Sequence, residues 1–316
     1  MVTSRLKGDP TSKVTEACPL CGSSQVSDFI TAPDRFHWRP EVYRIARCGT
    51  CSGAWLVDPP KPTEMSRHYD EDYHRAIANA GESRMRWNPQ HEAISKLKKG
   101  GALLDLGCSS GGFLSTMMGR SWRLYGIEME ASTAERARSR TGAEIFVGDV
   151  LEAPFVSDSF DVITCFDVLE HVYDPRQLLT KVLEWLKPGG IFYTSLPNID
   201  SWEAQAFGSY WFGLELPRHT FHLSPRSLRP LMVALGFQEV YIRTPSTTYV
   251  ERSIGYLRSA LVQSLGFSPT SQAKETQRSL PWRAARKALR LTLVSAFGRM
   301  ASGASRGGSM EAIFKK

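Results

Sequence analysis

The chain has 316 residues, 42% of them hydrophobic and 22% charged, with a formal net charge of +7 and a pI near 9.1. That length can hold one full α/β domain plus a smaller module, or two modest domains. No run of eighteen apolar residues occurs, so no membrane-spanning helix is expected, and the polar opening MVTSRLKGDPTSK lacks the apolar stretch of a secretory signal, so a cytoplasmic protein is expected. The positive balance suits an acidic partner (nucleic acid, anionic lipid or a phosphorylated substrate) or simply a solvated face.

Residues 1–16 read as a tail. Up to residue 60, short β-like stretches (QVSDFITA, VYRIARC, AWLVDPP) alternate with two Cys-x-x-Cys turns, Cys18/Cys21 and Cys48/Cys51. So small a segment cannot bury a core unaided. Two such turns can bring four thiolates to one tetrahedral Zn²⁺, and a closed set of four sulfurs leaves no open position, which makes the ion structural. Free thiols, local disulfides or an iron site are the alternatives. This ribbon, residues 1–60, could hold substrate over a neighbouring site or make a homodimer contact.

Residues 61–100 read as a helical linker or cap: MSRHYDEDYHRAIA, then QHEAISKLKK after Asn88-Pro89, stopping at Gly100-Gly101. Tyr69 and Tyr73 stand four apart, and Tyr73 is a candidate to line a substrate pocket; helix packing explains the pair equally. From 101 to 245 strands alternate with helices. The strands are ALLDLG, RLYGIEME, AEIFVGD, FDVITCFDVLEHV, IFYTSLPN and FQEVYIRTP; the helices include GGFLSTMMGRS, ASTAERARSRTG, PRSLRPLMVALG and RQLLTKVLEWLKPGG, the last with a Pro-Gly-Gly stop. Alternation at this pace implies βαβ units on a parallel sheet.

Residues 246–305 read as a helical basic insertion and 306–316 as a final strand. Within PWRAARKALRLTLVSAFGRM, Trp282, Ala285, Leu289 and Leu293 recur at helical spacing, with Arg283, Arg286, Lys287 and Arg290 on another face. The pattern fits peripheral membrane contact through residues 282–300, or a helix packed on its own domain with a solvated basic face.

In LLDLGCSSGGFL, Gly107 and Gly111 sit between the first strand of the alternating region and its helix, where glycine lets backbone N–H groups approach a ligand. Glu128 ends the second strand, placed to accept ribose hydroxyls, and Asp149 ends the third, placed for an adenine edge. Asp105, beside the glycine turn, suits a cation; a nicotinamide dinucleotide needs phosphate-binding groups instead.

The ordered run DLGCSSGG, GIEME, GDV, FDVITCFDVLEHV and LKPGG resembles the class I S-adenosylmethionine (SAM) dependent methyltransferases. DVLEHV and LKPGG resemble the branch with ubiquinone-biosynthesis and sugar methyltransferases. The resemblance covers residues 102–245. It implies an α/β Rossmann-like sheet, parallel with an antiparallel last strand, in which residues 246–305 interrupt the closing hairpin. It also implies SAM as cofactor, with Asp105 and Gly107 near its methionine end, Glu128 on the ribose, Asp149 and Val150 by the adenine, and Phe166 beside the amino group. Ser109 stands where the family often has glycine. Sugar C-methyltransferases share the order of cysteine-rich module, linker and SAM domain, but their longer C-terminal substrate domain has no counterpart here.

Methyl transfer from a sulfonium is an in-line displacement, and a hydroxyl or carbon acid also needs a proton acceptor. His219, in ELPRHTFHLS with Glu215, Arg218 and His222, is the leading candidate; His171, in FDVLEHV, is the second. His222 is a tentative substrate contact that could instead pack against the next helix. Tyr210 and Trp211, in SYWFGLELP, could stack a sugar or base, or close a lid.

The expected function is methylation of an oxygen or carbon nucleophile on a small-molecule or carbohydrate-related acceptor, lipid-linked ones included, in the cytoplasm or peripherally at the inner membrane face. One alternative is an RNA methyltransferase, less expected because no Asn-Pro-Pro-Tyr-type motif and no dense basic-aromatic stripe is present. The other is a non-catalytic SAM-binding scaffold.

Overall fold

The structure, a computed structural model, describes residues 17–70, 73, 84–119, 121–247, 249–265 and 294–316. At the N-terminal end, β1 (Val26–Pro33), β2 (Val42–Cys48) and β3 (Ala54–Leu56) form an antiparallel ribbon. A single helical turn α1 (Pro62–Met65) and α2 (Asn88–Leu97) follow, the latter with Pro89 in its first turn. Of the helix expected over MSRHYDEDYHRAIA, residues 66–68 form one 3₁₀ turn; residues 71–72 and 74–83 lie outside the described residues.

The central sheet begins with β4 (Gly101–Leu106), whose residues from Ala102 on are all buried. Strands covered on both faces carry continuous apolar runs rather than alternation. One turn of helix, α3 (Leu114–Met117), leads to β5 (Trp122–Glu128). Next come α4 (Ala131–Thr141), β6 (Glu144–Val147) and β7 (Phe160–Phe166). Both ends of α4 have a local cause: the Glu130 carboxylate accepts from Ser132 N and Thr133 N, and Gly142 closes the helix in the left-handed region (φ 67°).

The helix α5 (Pro175–Trp185), capped by Asp174, runs directly into β8 (Leu186–Pro197). LKPGG therefore belongs to the strand and does not stop the helix. The register moves from Phe160↔Leu186 to Val162↔Ile191, so the glycines lie in a bulge. A Cβ on Gly190 would sit 2.9 Å from the Lys187 carbonyl and 3.1 Å from that of Phe160, which explains the small residue. The remaining elements are α6 (Trp202–Phe207), β9 (Phe221–His222), α7 (Pro225–Ala234), β10 (Gln238–Arg243), α8 (Tyr249–Ser264) and β11 (Ser309–Lys315).

The central sheet has the order β10-β11-β8-β7-β4-β5-β6. All pairs from β8 to β6 are parallel, and β11 is antiparallel to both β8 and β10. This is the expected sheet with an antiparallel last strand. One connection has no trace in the sequence. β9, which follows the ELPRHT segment, pairs with β3 through Ala54↔His222 and Trp55↔Phe221, so the N-terminal ribbon and the histidine-bearing loop share one four-stranded sheet.

The shared core behind it contains Tyr43, Ile45, Trp211, Leu214 and Leu216. Among the described residues no helix is long and apolar enough to cross a membrane. Of the basic amphipathic stretch, residues 282–293 lie outside the described residues, while 294–303 are helical.

Candidate active site

The carboxyl ends of adjacent parallel strands carry the residues singled out in the sequence: Asp105 on β4, Glu128 on β5, Asp149 just after β6 and Phe166 on β7. The turn after β4 needs its glycines. Gly107 has φ 66°, and a Cβ there would lie 2.5 Å from Val168 Cγ2; Gly111 has φ 75°, and a Cβ would lie 2.9 Å from Thr141 Cγ2. Ser109, in the place of the family's middle glycine, also has positive φ, 47°.

Glu128 is held by this turn: its carboxylate accepts from Ser109 N and Glu130 N, both at 3.0 Å. Asp149 accepts from Leu151 N at 2.8 Å and starts the short turn that carries half-buried Val150. Phe166 stacks among Trp87, Phe113 and Tyr193. Burial pushes the Asp105 carboxyl up to about 7, although Thr164 Oγ1 donates to it at 2.7 Å. A nearby cation would favour its charged form.

His171 and His219 meet edge to face, with ring centroids 4.6 Å apart. His219 Nδ1 lies 2.9 Å from the Gly213 carbonyl, and His171 Nδ1 lies 3.1 Å from the Arg218 carbonyl and 3.0 Å from Tyr69 Oη. A carbonyl can only accept, so each imidazole carries its proton on Nδ1 and keeps its lone pair on Nε2. Burial lowers the pKa of both rings, that of His219 far below the ordinary value, with His171 adding to the effect on His219. Both are neutral near pH 7.

His219 Nε2 is 3.8 Å from Glu215 and 4.0 Å from Glu170. Glu170 is fully enclosed; burial and then the neighbouring Asp167 push its carboxyl well up. Its backbone carbonyl accepts from Thr220 N and Phe221 N, stitching the two histidine loops together.

The tentative substrate residues separate. Tyr73 donates to Glu215 Oε1 at 2.7 Å and packs against Tyr69. Tyr210 is half-buried beneath the Arg35 guanidinium. Trp211, 1% exposed, is part of the core under the N-terminal sheet and is not a surface platform. His222, 3% exposed, sits on β9 as packing.

Burial, then His219, depress the His222 pKa to about 3. A folded-state value below the unfolded 6.5 means the unfolded chain binds more protons between those limits, so stability falls as pH drops from about 6.5 towards 3. His222→Gln is expected to remove about 1.4 kcal/mol per pH unit of that acid-side slope. Urea unfolding of both proteins across this window checks it; parallel slopes would count against the burial argument.

A second cluster has no signal in the sequence. Asp34 accepts from His37 Nδ1 (2.9 Å), His68 Nδ1 (3.1 Å) and both terminal nitrogens of Arg218 (3.3 and 3.4 Å). Arg218 also reaches Glu215 and lies over the rings of Tyr73 and Phe36. Burial works to raise the Asp34 carboxyl, but hydrogen bonding from His68 and the charge of Arg218 outweigh it and hold it well below the usual range. Asp34, His37 and His68 have the makeup of a metal site, yet the guanidinium already occupies the carboxylate.

The four ribbon sulfurs lie within 4.8 Å of one another, with Cys18–Cys51 at 3.7 Å and Cys21–Cys48 at 3.6 Å. A disulfide needs about 2.0 Å, whereas four sulfurs on a tetrahedral zinc stand about 3.8 Å apart. Both turns close alike, with Gly22 N donating to Cys18 O and Ser52 N to Cys48 O. Cys51 N also points at Cys48 Sγ (3.4 Å).

A family model described as a methyltransferase domain matches residues 69–242. The chain is 34% identical over 156 residues to a ubiquinone biosynthesis O-methyltransferase of Erwinia tasmaniensis, covering 46% of this chain and 62% of that protein. It is 34% identical over 140 residues to the protein of the same name from Cronobacter sakazakii, covering 42% and 57%. The chain thus spans less than two thirds of these relatives' length. Among solved structures, a SAM-dependent methyltransferase of Archaeoglobus fulgidus superposes with TM-score 0.51 at 16% identity, over 77% of this chain and 100% of that one. A SAM-dependent methyltransferase of Thermotoga maritima gives 0.50 at 16%, over 80% and 98%. At such identities the likeness is one of fold.

Proposed function

The chain belongs to the methyltransferase-domain family, and from that premise we propose that it is a SAM-dependent methyltransferase acting on an oxygen or carbon nucleophile of a small-molecule or carbohydrate-related acceptor. The observation that carries this reading is the pair of neutral histidines, each locked with a free Nε2 lone pair, between the end of β7 and β9. SAM supplies an electrophilic methyl group when bound. Gly107 and Gly111 let the turn approach it, Glu128 accepts from its ribose hydroxyls, and Asp149 and Val150 meet the adenine. Asp105, half-protonated near pH 7 by itself, ionises towards the cationic methionine end.

His219 or His171 accepts the acceptor's proton at Nε2. The carboxylate of Glu215, 3.8 Å from His219 Nε2, would steady the imidazolium. The cluster of four cysteines holds a structural zinc ion, and the ribbon forms one wall of the acceptor site through the β3–β9 pairing.

Calorimetry with SAM and with S-adenosylhomocysteine tests the premise; no heat from either, with folded protein, would end it. Among His171→Ala and His219→Ala, at least one is expected to lose roughly 10²–10⁴-fold in kcat with SAM affinity intact. Because both pKa values are lowered, activity is expected to fall only on acidification below about pH 6.5. Full turnover in both variants would remove the histidines from the proton transfer.

A further inference from the structure

On the outer side of the Glu215 loop, a concavity is lined by Pro33, Arg35, Phe36, Ser209, Glu215 and Tyr256. Arg35 is fixed within it. Its Nε donates to the Ser209 carbonyl at 2.9 Å, and its guanidinium carbon lies 3.7 Å from the Tyr210 ring centre and 5.8 Å from that of Trp38. Tyr256 meets Trp38 edge-on at 6.3 Å and Phe212 at 5.7 Å, and Arg252 lies over Phe212 at 4.7 Å. Two guanidinium groups therefore border one aromatic wall.

Neither Arg35 nor Arg252 has a carboxylate partner among the described residues. The nearby acids are committed elsewhere: Asp34 to two histidines and Arg218, Glu215 to Tyr73 and Arg218. Arg35 is half-buried, and desolvation lowers its pKa; Tyr210 and Tyr256 offset only part of that cost, and no carboxylate does. A planar, immobilised guanidinium is the group best shaped to bind an oxyanion through two parallel hydrogen bonds.

We propose that Arg35, seconded by Arg252, binds an oxyanion carried by the methyl acceptor, whose apolar part packs on Tyr256. Glu215 lines this concavity and its carboxylate stands 3.8 Å from His219 Nε2, which puts the proposed anion site one residue away from the histidines. The assignment rests on the acceptor reading above and narrows it to a negatively charged substrate. It also leaves room for an anion beside Glu215, whose carboxylate already takes hydrogen bonds from Tyr73 and Arg218.

The test is isothermal titration of the full-length, zinc-loaded protein, saturated with S-adenosylhomocysteine, against inorganic phosphate, inorganic pyrophosphate and acetate at low ionic strength. Binding at one site is expected, weakened at least roughly tenfold in Arg35→Gln, as loss of a charge-assisted hydrogen bond to an oxyanion requires. Arg252→Gln should weaken it less, and Arg35→Lys should fall between wild type and Arg35→Gln.

Preference for the phosphates assigns a phosphorylated acceptor, and preference for acetate a carboxylated one. No binding of any anion, or equal affinity in wild type and Arg35→Gln, would overturn the proposal. S-adenosylhomocysteine affinity, measured in the same variants, should not change. Its absence in wild type would instead strike the methyltransferase premise, so the two failures are separable.

Discussion

Replacing Arg218 with methionine is expected to cost about 3–5 kcal/mol of folding stability, the range for removing one partner of a buried ion pair. The side chains of Arg218 and Asp34 are both fully buried and pair at 3.3 Å. Methionine keeps the stem and much of the packing against Tyr73 and Phe36 but leaves the Asp34 carboxylate with two histidines and no fixed cation. Adding Asp34→Asn to Arg218→Met should recover part of the loss, because the charge that was left uncompensated is then gone.

Activity should fall with stability, since the Arg218 guanidinium holds Glu215 near His219. Urea unfolding of the four proteins of this cycle measures the coupling. A loss below about 1 kcal/mol in Arg218→Met would mean that the pair behaves like a surface bridge.

Removing the zinc ion proposed for the four cysteines is the second large effect. Cys18→Ser, or a strong chelator, is expected to lower zinc content from about one ion per chain to near none and to cost on the order of 5 kcal/mol, because a closed thiolate site contributes its binding energy to folding. Leu20, between the first two cysteines, packs into the main core, and its carbonyl accepts from Arg176 on α5 at 2.7 Å. Collapse of the ribbon would therefore free β3 from β9 and loosen the loop carrying His219. The glycine turn and Glu128 lie on the far strands, so SAM affinity should change by less than about threefold while methyl transfer is lost. Purified protein without zinc, or a Cys18→Ser variant that melts and turns over like wild type, would refute the structural ion.

The parts of this protein that local rules govern were readable from the residues alone. Strand, glycine turn and helix follow one another in LLDLGCSSGGFL because apolar runs need burial and tight turns need positive φ, and both requirements appear in adjacent letters. The spacing of Cys18, Cys21, Cys48 and Cys51 likewise implied their gathering, because each Cys-x-x-Cys turn closes on itself. His171 and His219 could be picked out as titratable groups near strand ends, though not as neighbours.

Only the tertiary structure brought Asp34 to Arg218, 184 positions apart, or placed β9 beside β3. No period or motif links such residues. Their meeting depends on how two sheets pack, and packing is a property of whole surfaces. The same holds for the burial of Trp211: the sequence allowed it to stack a sugar or base or to close a lid, and the shared core made it interior. LKPGG changed from helix stop to strand bulge because the pairing of β8 with β7 outweighed the local preference of its glycines.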